Sequence, residues 1–305
     1  MSSFILLAIT ILLAPFYAAV IQKVKAFFGG KKGPPLLINY FTLIKLFKKG
    51  SVYSESTTFI FKLSPIITIS VSLIVLLFLP IAGSQPIFSF QGDVIFLLYL
   101  FGLSRFFTIL AGLDTASPFE GMGTAREAFF SILAELTLFT ILILFYLISN
   151  KLSLFAYFGK GQSIALWQTI GTPLILVILA LYIVTLTENC RVPVDDPATH
   201  LELTMIHEVM ILDHSGPDLA LLELGAQLKL IFYSSLIACL ICPFHLGSLL
   251  ANTAAYLLIL LGIYGMIGIT ESVIARYKMT KTPKFILFSF ALALFATVVI
   301  LEFPS

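Results

Sequence analysis

The sequence predicts an all-α integral membrane protein with eight transmembrane helices and amphipathic helices in its cytoplasmic loops. Three observations carry that expectation. The chain is 59% hydrophobic and only 11% charged, where soluble domains run near ~25% charged. Several apolar runs reach the ~20 residues needed to cross a bilayer core. The positive charges fall almost wholly on one side of the alternation that those runs impose.

The runs lie at about 4–22, 65–84, 93–112, 128–148, 167–187, 228–249, 251–273 and 284–303. The first precedes its basic residues, Lys23 and Lys25. A secretory signal would carry its basic residues in front and a small-residue cleavage site behind, so a retained first span is expected. Eight lysines (Lys23, Lys25, Lys31, Lys32, Lys45, Lys48, Lys49 and Lys62) occupy the first connection. Arg126, Arg191 and Lys229 follow on the same side, and Arg276, Lys278, Lys281 and Lys284 fill the last connection there. Fifteen of the 18 Lys and Arg thus share one side; Lys151 and Lys160 lie opposite, and Arg105 sits within the third span. The positive-inside rule makes the basic side cytoplasmic, with both termini outside, in the cell inner membrane. A single multi-pass domain over 1–305 is expected, with cytoplasmic loops at about 23–64, 113–127, 188–227 and 274–283.

In the first loop, GGKKGPPLLINYFTLIKLFKKG places Leu36, Leu37, Tyr40, Leu43, Ile44 and Phe47 at helical spacing. That suits a helix lying on the membrane surface with Lys45, Lys48 and Lys49 toward lipid phosphates or a partner; a basic orientation signal is the plainer alternative. The stretch ENCRVPVDDPATHLELTMIHEVMILDHSG is the most polar of the chain. Eight of the 16 acidic residues fall between Glu188 and Glu223. Asp195-Asp196-Pro197 reads as a helix start and Ser215-Gly216-Pro217 as a stop. Between them a helix of about 16 residues is expected, with Leu201, Met205, Val209 and Leu212 as its apolar stripe.

His200, His207 and His214 recur every seven residues there. Seven residues rise ~10 Å, too far for two histidines to share one metal ion, and HEVMI lacks the second histidine of zinc-protease spacing. No metal site is expected. Cys239 and Cys242 lie in an apolar run and Cys190 stands alone, so all three read as packing residues.

Ionisable groups within spans are costly and point to function. Glu135 lies about eight residues, ~12 Å, into the fourth span, where desolvation favours the neutral acid unless Arg105 or Arg126 is close. A fixed Glu–Arg pair holding helices together is the structural alternative. Glu188 ends the fifth span and reads equally as an interfacial anchor, and Glu271 as a partner of Arg276.

Four segments in order carry a family resemblance: KKGPPLLINYFTLIKLFKKG, GLDTASPFEGMGTAREAFFSILAE, RVPVDDPATHLELTMIHEVMILDHSG and TESVIARYKMTKTPKF. The chain resembles the membrane subunit shared by respiratory complex I (its subunit 1) and the energy-converting nickel–iron hydrogenases. The second and fourth segments look more like the hydrogenase branch, which includes formate hydrogenlyase subunit 4 and hydrogenase-4 component C. The resemblance implies a non-redox anchor of a multi-subunit oxidoreductase that couples redox chemistry to proton or sodium movement. It also implies no cofactor in this chain. The implied partners are peripheral subunits carrying iron–sulfur clusters and nickel–iron, antiporter-like membrane subunits and the bilayer; no nucleic acid is expected.

By the same resemblance Arg126 and Glu135 match the family's arginine and intramembrane glutamate. Glu188, Arg191, Asp195 and Glu202 match its acidic loop, with Asp213 at the loop's end. Arg105, Asp114 and Glu127 match the hydrogenase-like branch. Ala198 and His200 stand where the family loop usually has glutamates, and Lys31-Lys32-Gly33-Pro34 replaces its Arg-x-Gly-Pro. Those departures weaken a quinone site, which quinone-reducing members form with this subunit and which remains the alternative. A stand-alone secondary transporter would show inverted repeats, and none is evident.

Overall fold

The computed structural model describes residues 2–159, 162–196, 205–242 and 248–302. Among them the chain forms eleven α-helices, here α1 to α11, one short 3-10 helix (Ile81–Gly83) and no strand. Eight are long and apolar enough to cross a membrane: α1 (Ser2–Phe28), α3 (Phe59–Leu77), α4 (Asp93–Asp114), α5 (Pro118–Ser149), α7 (Gln162–Glu188), α9 (Gly216–Ile241), α10 (Leu249–Val273) and α11 (Thr282–Glu302). The short helices are α2 (Ile38–Phe47), α6 (Leu154–Phe158) and α8 (His207–Met210). The protein is a multi-pass membrane protein of eight spans, as composition predicts.

α9 is the axis of the bundle. It packs against α1, α2, α3, α7 and α10, and from Leu228 to Leu240 every residue but Lys229 is buried. A helix buried on all sides needs small residues where neighbours approach. Ser234, Ser235 and Ala238 fill that role at 0% exposure. The Ser72 hydroxyl of α3 donates to the Gly225 carbonyl at 3.1 Å, tying the two helices directly. α11 lies at the margin against α5 and α7.

The amphipathic helix of the first loop forms as α2. Leu43 is buried, whereas Leu37, Phe41, Ile44 and Phe47 remain exposed. Its polar residues dock it onto α1 beside Pro15, which lacks an N–H and interrupts the helical ladder. Asn39 Nδ2 donates to the Pro15 carbonyl at 3.0 Å, and Tyr40 Oη donates to the Leu12 carbonyl.

Three local expectations change. α5 begins at Pro118 rather than near 128, because Pro118 sits in its first turn after Ser117 and the helix runs on beyond its apolar stretch. α9 begins at Gly216 rather than 228, so Ser215-Gly216-Pro217 starts a helix: Ser215 is its N-cap and Pro217 lies in the first turn. The helix expected between Asp196 and Ser215 is, among the described residues, only the single turn of α8. Met205 and Ile206 precede it as non-helical chain and α8 ends at Met210, so no helical face aligns His207 with His214; His200 lies outside the described residues. Of the expected stripe, Met205 and Val209 are buried, Leu212 is exposed, and Leu201 lies outside the described residues.

Asp195 fixes the chain just ahead of α8. Its Oδ2 accepts the backbone N–H of Ile206 at 3.0 Å and of His207 at 3.2 Å. α8 then presses on α5 so closely that a Cβ at Gly123 would lie 2.3 Å from Val209 Cγ1.

Candidate functional site

The ends of α1, α4, α7 and α10 and the starts of α3, α5, α9 and α11 share one face with α2, α8 and the polar loop. Just inside that face, four spans bring ionisable side chains together. Arg105 of α4 is the hub. Its Nη2 donates to both Glu188 oxygens at 2.7 and 2.6 Å, its Nη1 donates to Glu135, and its Nε lies 3.9 Å from Glu127. Lys229 of α9 reaches Glu188 Oε2 at 2.9 Å and its backbone carbonyl at 2.6 Å. The Glu188 side chain is 1% exposed.

Within this cluster three carboxylates share two cations among the described residues. Glu188 takes hydrogen bonds from both cations, whereas Glu127 has only the loose 3.9 Å pairing and the Cys190 thiol, whose Sγ donates at 3.5 Å. Burial raises the Cys190 thiol pKa well above its ordinary value, so this donor stays a thiol. A site with one more carboxylate than cations carries net negative charge in a poorly solvated place.

A second cluster lies nearer the loops and is balanced. Glu271 of α10, whose side chain is 0% exposed, faces Lys25 of α1 at 2.9 Å and Arg191 at 3.4 Å. Lys25 also stands 3.8 Å from Asp196. Arg276 lies 2.9 Å from Asp195, not beside Glu271 as sequence proximity suggested. Burial raises the Asp195 pKa, against the lowering effects of Arg276 and of three backbone N–H groups.

Each cluster borders a chamber. The smaller, about 70 Å³, is lined by Arg105, Glu127, Glu188, Cys190 and Lys229. The larger, about 370 Å³, lies between α1, α2, α9 and α10 and is lined by Lys25, Arg191, Glu208, Glu223, Gln227 and Glu271. Part of its charge is paired within the lining, Glu271 with Lys25 and Arg191. Among the described residues no group of three His, Cys, Asp or Glu could hold a metal ion.

The other sequence-predicted residues do not join the Arg105 cluster among the described residues. Arg126 donates to the Met205 carbonyl at 3.0 Å and does not reach Glu135. Asp114 accepts from the Thr58 backbone N–H at 2.6 Å and hydroxyl at 2.9 Å, tying α4 to the start of α3. Asp213 is exposed; its backbone N–H bonds to buried Glu120, which also accepts from the Thr115 hydroxyl. Glu202, with Ala198 and His200, lies outside the described residues. Sequence reasoning missed Lys25 and Lys229 as members of the clusters, and Arg276 as the partner of Asp195.

Eight apolar spans around a network of arginine, lysine and glutamate define a multi-pass membrane protein with a charged interior. Residues 1–302 match the family model described as NADH dehydrogenase, and the chain belongs to that family. It is 30% identical over 296 residues to hydrogenase-4 component C of Escherichia coli (strain K12), covering 95% of this chain and 92% of that one. Formate hydrogenlyase subunit 4 of the same organism is 28% identical, covering 94% of each. NADH-ubiquinone oxidoreductase chain 1 of Arabidopsis thaliana is 26% identical over 222 residues, covering 70% of this chain and 66% of that one. The fold matches, with a TM-score of 0.78, 17% identity and coverage of 98% and 99%, a chain of the membrane-bound sulfane sulfur reductase, an archaeal respiratory membrane complex. The chain therefore stands among the membrane subunits of complex I-like and hydrogenase-like assemblies.

Proposed function

We propose that this chain is the membrane anchor and ion-coupling subunit of a complex I-like or group 4 hydrogenase-like oxidoreductase. In this reading the loop-rich face is cytoplasmic and docks the peripheral electron-transfer arm, and the Arg105 network holds the proton that is moved. The surplus of carboxylates over cations around Arg105 carries the proposal. An electron arriving in the docked arm changes the field at the face where both clusters lie. The Glu127–Glu135 side of the network answers by binding or releasing a proton, while Glu188 stays ionised between Arg105 and Lys229 and holds the frame.

Sidedness rests on the lopsided lysines and arginines. Partner spans are supported by Glu135, whose side chain is 37% exposed on α5 beside exposed Ile132, Leu136 and Phe139. An ionised group cannot face lipid at that depth without large cost, so a neighbouring membrane subunit covers this face and continues the polar path.

The test is Glu135→Gln in the assembled complex in membrane vesicles. Coupled ion transport is expected to vanish while the complex stays intact. Unchanged transport per electron removes Glu135 from the mechanism.

A further inference from the structure

The two chambers share a wall. Asn189, His207, Leu222 and Ala226 line both. Leu222 and Ala226 are apolar, so any polar route across the wall runs past Asn189 and His207.

The wall is built to hold those two in place. The Asn189 side-chain NH₂ donates to the Thr185 carbonyl at 2.8 Å. Its Oδ1 is buried and, among the described residues, has no hydrogen-bond donor on it, so it offers an acceptor to water at the boundary of two polar chambers. The His207 backbone N–H is anchored on Asp195 Oδ2, which sets the imidazole at the start of α8. His207 is the one titratable residue common to both linings. It shares one lining with Arg105, Glu127, Glu188 and Lys229, and the other with Lys25, Arg191, Glu208, Glu223 and Glu271.

We propose that His207 is the proton relay between the outer chamber around Glu271 and the inner chamber around Arg105. An imidazole is suited to this task because its two ring nitrogens are distinct sites on opposite edges. One nitrogen takes a proton from water in the outer chamber, giving the imidazolium. The other releases its proton to water or to Glu127 in the inner chamber. The ring is left neutral with the opposite tautomer, and rotation or proton exchange with water resets it. One proton crosses and nothing is oxidised or reduced. The inference rests on the ion-coupling reading above.

The experiment reads dye-linked redox turnover and ion uptake in parallel, in vesicles carrying the assembled complex. His207→Gln keeps the size and hydrogen-bonding reach of the residue but cannot carry a proton. It is expected to retain turnover and to lose uptake by at least about tenfold, a loss within reach of one proton-transfer group. His207→Gly is expected to lose uptake equally, and added imidazole, which the outer chamber can admit, is expected to restore it. Where His207→Gly does not assemble, His207→Glu replaces it: a relay leaves uptake above that of His207→Gln, and a packing role reverses the order.

Normal uptake per electron in His207→Gln overturns the proposal. So does an assembled His207→Gly that imidazole does not rescue, or a His207→Gln that fails to assemble. If Glu135→Gln abolishes uptake while His207→Gln does not, only the relay falls. If Glu135→Gln transports normally, the broader reading falls first.

Discussion

Replacing Arg105 with Met removes the hub and keeps most of the side-chain volume. The substitution strips Glu188, 1% exposed, of the guanidinium bound to both its oxygens and leaves Lys229 as its one cation among the described residues. Glu135 loses its cation entirely. Breaking a buried ion pair by deleting one partner costs ~3–5 kcal/mol, because the other charge stays buried and uncompensated. Against a total stability of ~5–15 kcal/mol, that is a large fraction. The same logic says that much of the loss reflects stranded charge, so adding Glu188→Gln should recover part of it. Denaturant midpoints of the purified chain in mixed micelles, for both single variants and the double variant, close a double-mutant cycle. The double variant should lose less than the two single losses combined, by at least ~1 kcal/mol. An Arg105→Met cost below ~1 kcal/mol, or strictly additive losses, would refute the account of the hub.

Gly123→Leu should destabilise the contact between α5 and α8 by ~1–3 kcal/mol, since its Cβ would meet Val209 at 2.3 Å; an unchanged unfolding midpoint contradicts that packing. His214 is buried and stacked on Phe61 with ring centroids 3.8 Å apart, and burial lowers its pKa to about 4. Its folded pKa lies below the unfolded value of ~6.5. The neutral ring's contribution is therefore fully present above pH ~6.5 and is lost as pH falls toward about 4. His214→Phe should flatten the stability curve in that window, and an identical acid profile argues against the burial of this ring. A photoreactive quinone analogue should label no peptide within residues 33–60 or 188–216 of the assembled complex, because the larger chamber is lined by charge; specific labelling there would restore the quinone reading.

The spans were legible because their signal is physical and local: each apolar run matches the thickness of a bilayer. Arg105, Glu135 and Glu188 were also legible, as ionisable groups at or within those runs, whereas Glu127 entered only through the family resemblance. Lys229 was not singled out, and the cause is one ambiguous motif. Ser-Gly-Pro suits a helix stop with Gly after the last turn, and equally a start with Ser as N-cap and Pro in the first turn. Placing the start of α9 at Gly216 would have put Lys229 ~20 Å along a spanning helix, where any charge calls for a partner. The pairing of Arg126 with Glu135 could have been set aside by geometry. Nine residues turn a helix by ~900°, which puts the two on opposite faces, and Arg126 accordingly meets Met205 on the loop side. Lys25 and Glu271 meet because α1 packs against α10; nothing in either segment alone announces that contact. Asp195 was legible as a polar loop residue, but its role as acceptor for Ile206 and His207 depends on a fold-back that helical periodicity hid.

The central claim is that the surplus carboxylate of the Arg105 network carries a proton that leaves or arrives when the complex turns over. Redox-induced infrared difference spectroscopy on the assembled complex, in H₂O and D₂O, reads it directly. The account predicts a carboxylic-acid C=O band that changes between the oxidised and reduced states, shifts in D₂O, and disappears in Glu127→Gln or Glu135→Gln. A spectrum without such a band, or a band unaltered in both variants, would contradict it.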